Sequence, residues 1–259
     1  MSKTNENPTI PTKILAIIPA YNEEVAIGDV ISKTKKYVDR VVVVDDGSSD
    51  KTVEIAKLAG AEVIVHKNNM GKGEALKSGF EAVNDEDIVV TIDGDGQNNP
   101  DEIPKLIEPI INKKADLVNG SRYIEGYEFD TPFYRRVGQK VLDIATNVST
   151  GLNITDSQNG FRAFSKIAIP CFKFRNSGFA IESEMLADAS EAGLTIFEVP
   201  ITVRYDLDGS TQNPVTHGVM VLWRVFQDMR FRRPILYFTL VIGILLVILL
   251  VIFFISLFL

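Results

Sequence analysis

Ile88-Val89-Val90-Thr91-Ile92-Asp93-Gly94-Asp95-Gly96-Gln97 is the stretch on which the reading of this chain turns. Unbroken β-branched residues from Ile88 to Ile92 read as a strand buried on both faces. The two aspartates that follow, two residues apart around a glycine, put hard oxygen groups at the strand's carboxyl end. Mg²⁺ commonly takes one or two carboxylates and fills its shell with substrate phosphate oxygens and water. Asp-Gly-Asp-Gly alone also makes an ordinary turn, so its surroundings decide its meaning.

Working outward, similar short runs occur at Ile14–Ile18, Val41–Val44, Glu62–Val65 and Leu117–Val118. Helix-like stretches lie between them at Glu24–Tyr37, Lys51–Ala59, Gly73–Val83 and Pro100–Ile111. The last opens with Asn99 as N-cap, Pro100 at the first helical position and Glu102 at the third. Strands alternating with helices imply an α/β domain with a mostly parallel sheet covered on both faces. Ligands in such sheets bind at the carboxyl ends of the strands. After Arg122 the spacing changes: Arg135–Thr150 and Glu182–Ala192 read as helices, Phe161–Phe164 and Thr195–Val203 as strands. From His217 to Met229 an apolar stripe of Val221, Leu222, Val225 and Met229 reads as a helix lying near a membrane surface, with one more core-packing helix as the alternative.

Three further motifs fall on the same sheet edge. Pro19-Ala20-Tyr21-Asn22-Glu23-Glu24 follows the first strand, and Asp45-Asp46-Gly47-Ser48-Ser49-Asp50 follows the second. Asn69-Met70-Gly71-Lys72-Gly73 sets a lysine in a glycine turn before a helix, without the Gly-x4-Gly-Lys-Ser/Thr pattern of a phosphate loop. Each has an ordinary reading as a turn or cap; four on one edge point to a ligand site.

The chain ends in 25 residues without charge, Ile235 to Leu259, of which only Thr239, Gly243 and Ser256 are not apolar. At about 1.5 Å per residue this reaches roughly 37 Å, enough to cross a hydrocarbon core of about 30 Å with some tilt. The segment Arg224–Arg233 carries a local +3, which leaves −10 on residues 1–223 against −7 for the 259 residues together. An acidic body argues against nucleic acid as a partner. A basic collar beside a span marks the cytoplasmic side, so a single-pass membrane protein with its large domain on the cytoplasmic face is expected. The expected organisation is a disordered lead-in over residues 1–12, a catalytic domain over 13–214, a juxtamembrane amphipathic helix and collar over 215–234, and a transmembrane helix over 235–259. Cys171 stands alone and forms no internal disulfide. His66 and His217 lack metal-ligand spacing and read as structural, and Trp223 reads as an interfacial anchor.

Taken in order, the four motifs resemble those of the family 2 glycosyltransferases, and more narrowly the polyprenyl-phosphate branch typified by dolichyl-phosphate mannose synthase. Gly120-Ser121-Arg122-Tyr123, Gly160-Phe161-Arg162 and Val199-Pro200-Ile201-Thr202 fit that branch too, so the resemblance covers about residues 13 to 205. It implies a glycosyltransferase A fold, which is Rossmann-like, a nucleotide-sugar donor, and Mg²⁺ or Mn²⁺. It assigns Pro19, Tyr21, Glu23 and Asp46 to the nucleoside, and Asp93 and Asp95 to the ribose, metal and diphosphate, with Gln97 completing the metal site. Lys72, Gly94 and Arg204 join the donor-binding set, and Asp95 the catalytic one. Inversion at the anomeric carbon is implied by the same likeness.

The acceptor reading starts from arginines. Guanidinium binds phosphate in a bidentate fork, and Arg122 with the Arg135-Arg136 pair suits a phosphate monoester. The resemblance gives Arg122 and one of that pair to the phosphate of dolichyl or polyprenyl phosphate, with the bilayer holding its tail. Such a phosphate is largely a dianion at neutral pH and attacks without a strong general base. Arg122 also joins Asp95 in the expected catalytic set, as do Asp156 and Glu184, which are candidates for lining the site against capping or structural pairing as the alternative.

The sequence also departs from the branch. Val203-Arg204-Tyr205-Asp206-Leu207-Asp208-Gly209-Ser210-Thr211-Gln212-Asn213-Pro214 lacks the lysine of a Gly-x-Ser-Lys turn and carries two aspartates, so a uridine donor with glucose or N-acetylglucosamine stands beside a guanosine donor with mannose. The loop from Tyr205 to Pro214 is expected to order over the donor. Competing readings are a processive or a protein- or glycan-directed transferase of the same family, and a non-catalytic, membrane-tethered nucleotide-sugar-binding protein. A processive synthase would carry Gln-x-x-Arg-Trp and several spans, whereas here Met220 precedes Trp223 by three and Trp223 precedes Arg224. A homo-oligomer is allowed, but the span offers little polar glue beyond Thr239 and Ser256.

Overall fold

The computed structural model describes residues 12–124, 133–178, 180–204 and 214–258. The strands are β1 (Ile14–Ala20), β2 (Arg40–Asp45), β3 (Glu62–Val65), β4 (Ile88–Thr91), β5 (Leu117–Ser121), β6 (Arg162–Ser165) and β7 (Ile196–Pro200). The helices are α1 (Ile27–Thr34), α2 (Thr52–Leu58), α3 (Lys72–Glu81), α4 (Ile103–Ile111), α5 (Phe133–Thr150), α6 (Ile181–Glu191), α7 (Pro214–Arg232) and α8 (Pro234–Phe258). The described strands form one sheet in the order β3-β2-β1-β4-β6-β5-β7. All neighbours are parallel except β6, which runs antiparallel to both β4 and β5.

Period-two alternation explains the two cores. Ala16 and Ile18 of β1 and Val41 and Val43 of β2 point to one face, where Val30, Ile31, Leu106 and Ile107 pack on them. Leu15, Ile17, Val42 and Val44 point to the other, against Leu76, Phe80, Phe164, Met185 and Leu186. A strand buried on both sides needs apolar residues at every position, which is why β1, β2 and β4 read as continuous runs.

Where the elements differ from expectation, local hydrogen bonding gives the reason. The helix expected from Glu24 starts at Ile27, because the Glu23 carbonyl accepts from the N–H groups of Ala26 and Ile27 in a turn. Asn99 caps as expected, accepting from the Asp101 N–H at 3.1 Å, but Pro100–Glu102 is a 3-10 turn and the α-helix starts at Ile103. Glu102 does not close a capping box. Its Oε2 accepts from the Thr202 N–H at 2.8 Å and ties this helix to the strand end at Pro200.

The amphipathic stripe of α7 has a protein partner. Val221, Val225 and Met229 are buried, and Val221, Val225 and Leu222 pack with Leu142 and Ala145 of α5. Trp223 and Phe231 lie on its exposed side. The collar is also more than a loose cluster of charge. Arg232 is enclosed, with Asp188 Oδ1 and Glu191 Oε1 each at 2.7 Å, and Arg233 donates to the Thr150 carbonyl at 2.9 Å. These contacts fasten the α7–α8 junction to α5 and α6. Beyond it, Pro234–Ser256 is long and apolar enough to cross a membrane, and none of it is buried against the rest of the protein.

Candidate active site

The carboxyl ends of β1, β2 and β4 open onto a cavity of about 500 Å³. Pro19, Tyr21 and Glu23 line it from the β1 end, Asp46 from the β2 end, and Asp93, Gly94 and Asp95 from the β4 end. Gly71 and Lys72 complete that side from the start of α3. All four motifs therefore meet, as the strand-end rule requires.

Each is held by its neighbours. Asn22 adopts φ +56°, a left-handed conformation that asparagine tolerates, and its side-chain oxygen accepts from the Ser49 N–H at 2.8 Å. This joins the loops after β1 and β2. Asp46 is buried with both oxygens engaged: Oδ1 with the Met70 N–H and His66 Nδ1, Oδ2 with the Gly71 N–H at 2.7 Å. Its role in the geometry is to anchor the loop that presents Lys72. His66 is structural, as expected, since its Nε2 lies 2.9 Å from Ser78 Oγ.

Lys72 sits between two carboxylates, 2.6 Å from Asp93 Oδ1 and 2.8 Å from Glu182 Oε1. Burial opposes its charge, but Asp93 and Glu182 outweigh that and hold the ammonium above its ordinary range. The flanking glycines are required by a close approach. A Cβ on Gly73 would lie 1.9 Å from the Asn176 carbonyl oxygen, and one on Gly71 would lie 2.4 Å from that of Ser177. The Gly73 N–H donates to the Ser177 carbonyl at 2.6 Å.

The acids crowd each other. Burial first, then the charges of Asp95 and Asp93, push the Glu23 carboxyl up to about 8. Burial and the neighbouring Asp93 raise Asp95 to about 6, against the opposing pull of the Gln97 N–H and Lys72. Among the described residues no group of three or more His, Cys, Asp or Glu forms a metal cluster. The donor set nevertheless fits a hard divalent cation, which needs only one or two carboxylates when phosphate and water supply the rest. A cation held by these carboxylates would also offset the Asp93 repulsion that adds to burial in raising Asp95.

Other expected residues stand elsewhere. Gln97 does not line the cavity: its N–H donates to Asp95 Oδ1 at 3.0 Å and its carbonyl accepts from the Arg204 N–H at 2.9 Å. Arg204 is exposed and outside the lining, as is Arg136. The Arg135 side chain and residues 205–213 lie outside the described residues. Arg122 is half-buried and bidentate on Asp156, with Nε–Oδ2 at 2.6 Å and Nη2–Oδ1 at 2.8 Å. Asp156 is fully buried, pairs with Arg122 and does not line the cavity; a carboxylate buried this way needs a cation beside it. Glu184 likewise stands outside the lining, accepting from the N–H groups of Arg175 and Asn176 and from the Asn176 side chain.

That loop is what sequence reasoning missed. Arg175, Asn176, Ser177 and Gly178 form the far wall, joined by Met220, Val221 and Arg224 of α7. Gly71 and Gly73 were the available signal, since glycines on both sides of a lysine imply a close neighbour without naming it. Arg162, present in the sequence reading only as part of Gly160-Phe161-Arg162, had no role assigned to it. It is fully buried, donating to Asn119 and to the carbonyls of Ser157 and Glu182, and it shares the Glu182 carboxylate with Lys72.

Comparison with known proteins follows the same lines. Residues 15–172 match the model of glycosyl transferase family 2. The chain is 36% identical over 238 residues to the UDP-N-acetylglucosamine–dolichyl-phosphate N-acetylglucosaminyltransferase of Methanococcus voltae, covering 82% of this chain and 93% of that one. It is 31% identical over 203 residues to the undecaprenyl-phosphate mannosyltransferase of Micrococcus luteus, covering 73% and 83%. The crystal structure of glucosyl-3-phosphoglycerate synthase from Mycobacterium tuberculosis, in complex with Mn²⁺, UDP and glucosyl-3-phosphoglycerate, superposes with a TM-score of 0.68 at 26% identity, covering 86% and 80%. With the motifs gathered on one sheet edge and the matching region spanning most of the sheet, the fold is the glycosyltransferase A arrangement and the chain belongs to glycosyltransferase family 2.

Proposed function

We propose that this chain is a membrane-anchored transferase that moves one sugar from a UDP- or GDP-linked donor to dolichyl or polyprenyl phosphate, giving a lipid-linked monosaccharide for glycan assembly. The observation that carries the reading is the union, in one chain, of a cavity built from the donor motifs and an unburied apolar helix at its C-terminal end. The names of the Methanococcus and Micrococcus relatives, both polyprenyl-phosphate transferases, support the acceptor class. The former, and the UDP complex of the structural neighbour, favour a uridine donor.

In this reading Pro19, Tyr21 and Glu23 flank the nucleoside, Asp46 holds the Lys72 loop, and Lys72 and Gly94 line the path of the diphosphate. Asp93 and Asp95 would hold Mg²⁺ or Mn²⁺, with Gln97 setting Asp95 through its N–H. That ion, when bound, neutralises charge on the departing diphosphate as a Lewis acid. The sugar passes through an oxocarbenium-like state. The acceptor phosphate, gathered by arginines that include Arg122 and Arg135 or Arg136, attacks as a dianion with inversion, so no strong base is demanded of Asp156 or Glu184. Arg204, which follows the Val199-Pro200-Ile201-Thr202 motif, is the candidate further contact for the diphosphate. The exposed Arg230, with its neighbours at the head of α8, would keep the catalytic domain on the cytoplasmic face.

A donor panel tests this. Purified protein in detergent with Mg²⁺ or Mn²⁺ and a short polyprenyl phosphate should place label from one nucleotide sugar into the lipid phase. No lipid label from any donor overturns the acceptor assignment.

A further inference from the structure

The cations around the cavity differ in how they are occupied. Lys72 is held by Asp93 and Glu182. Arg175 lies against Glu184 and Asp188, at 3.7 and 3.2 Å. Arg224 lines the same cavity, is exposed to solvent, and makes no ion pair or hydrogen bond with the described residues.

Its placement is fixed by the helix that carries it. Residues three and four apart on a helix share a face, so Met220, Val221, Arg224 and Asp228 form one row of α7. Met220 and Val221 line the cavity beside Arg224, and Val221 is buried against α5. One turn further on, Asp228 Oδ2 accepts from the Asn176 side chain at 3.2 Å, which ties α7 to the loop forming the cavity's far wall. Arg232 then pins the end of the helix to Asp188 at 2.7 Å. A guanidinium held on a fixed helix, open to the cavity and unmatched by an acid among the described residues, is a site for an oxyanion. Guanidinium meets phosphate with two parallel N–H···O bonds.

We propose that Arg224 is a phosphate-binding residue of this cavity. Its ligand is a phosphate group of either the donor diphosphate or the lipid-linked acceptor. The proposal rests on the reading that the cavity takes phosphate-bearing substrates, and it gives α7 a part in substrate binding beyond any contact with the membrane.

The test is direct binding, so it does not depend on turnover. Full-length wild type, Arg224→Ala and Arg224→Lys in detergent with Mg²⁺ are titrated calorimetrically with UDP and GDP against uridine and guanosine, and with farnesyl phosphate against farnesol. Arg224→Ala should weaken one phosphate ligand by about tenfold or more, the scale of a charge-assisted hydrogen bond, while its phosphate-free partner binds as before. Arg224→Lys should recover part of that loss. Loss on the nucleoside diphosphate places the residue on the donor; loss on farnesyl phosphate places it on the acceptor. Affinities for all phosphate ligands within twofold of wild type, or an equal fall for the phosphate-free partners, overturn the proposal. A donor panel without lipid label would sink the acceptor reading and leave the nucleoside diphosphate titration fully readable.

Discussion

Lys72→Met is the perturbation whose consequence follows most closely from the geometry. Its ammonium lies 2.6 Å from Asp93 and 2.8 Å from Glu182, and its side chain is 13% exposed. Once it is removed, Asp93 at 27% exposure can turn to water, but Glu182 at 3% cannot. Breaking a buried pair by removing one partner costs about 3–5 kcal/mol, chiefly because the other charge stays desolvated. Arg162 Nη1, 3.4 Å from the second Glu182 oxygen, offsets some of this and sets the expectation near about 3 kcal/mol. For a domain of this size that corresponds to an apparent Tm lower by about 6–12 °C. Adding Glu182→Gln removes the stranded charge, so the double variant should regain at least half of the loss. It should not regain nucleotide affinity, because on the proposed reading Lys72 is the cation beside the diphosphate and it is still missing. The assay is thermal melting in one detergent at one pH, with and without UDP. A single variant melting within about 2 °C of wild type, or a double variant melting no higher than the single, would refute the claim that Lys72 neutralises a buried carboxylate.

Other outcomes follow from single contacts. Gly73→Ala puts a Cβ 1.9 Å from the Asn176 carbonyl oxygen, so the far wall must move; a cost of about 1–3 kcal/mol and weaker nucleotide binding by titration are expected. Burial first, and Asp156 further, raise the Asp143 carboxyl to about 7, against hydrogen bonds from Ser157 and Gln139. The folded state then holds a proton that the unfolded state has released, so this group's contribution to stability falls as pH rises from about 4 to about 7. Denaturant melts at pH 5 and 8 should show Asp143→Asn gaining on wild type at the higher pH, by at most about 3 kcal/mol, and no relative gain counts against a buried acid there. Deleting residues 234–259 should lower transfer to polyprenyl phosphate in vesicles by about tenfold or more while UDP affinity stays within twofold, since tethering raises effective concentration at the surface.

The strand-end side of the cavity was legible because it is local. Each motif follows a strand directly, and the sheet order brings those strand ends together without help from distant residues. Asn99 as a cap and Pro100 at a helix start were readable for the same reason. The opposite wall was not. Arg175 to Gly178 come from an irregular segment after β6 that has no period, and only contact with Gly71 and Gly73 gives it meaning. The α7 stripe shows a different limit. Val221, Val225 and Met229 announce an apolar face, but spacing does not say whether lipid or protein covers it; here α5 does. Asp156 and Glu184 show a third, since an acid near a motif can equally brace an arginine or a loop. The collar arginines divide in the same way between ion pairs, a carbonyl and the cavity wall.

The central claim concerns chemistry at the end of β4, and one comparison tests it most directly. Wild type and Asp95→Ala, matched for melting temperature, are given labelled nucleotide sugar, Mn²⁺ and polyprenyl phosphate, and label entering the lipid phase is followed over time. Wild type should transfer a single sugar per lipid, and Asp95→Ala should be slower by about a hundredfold or more, as expected when a main source of charge stabilisation is lost. Equal rates for the two proteins would contradict the account.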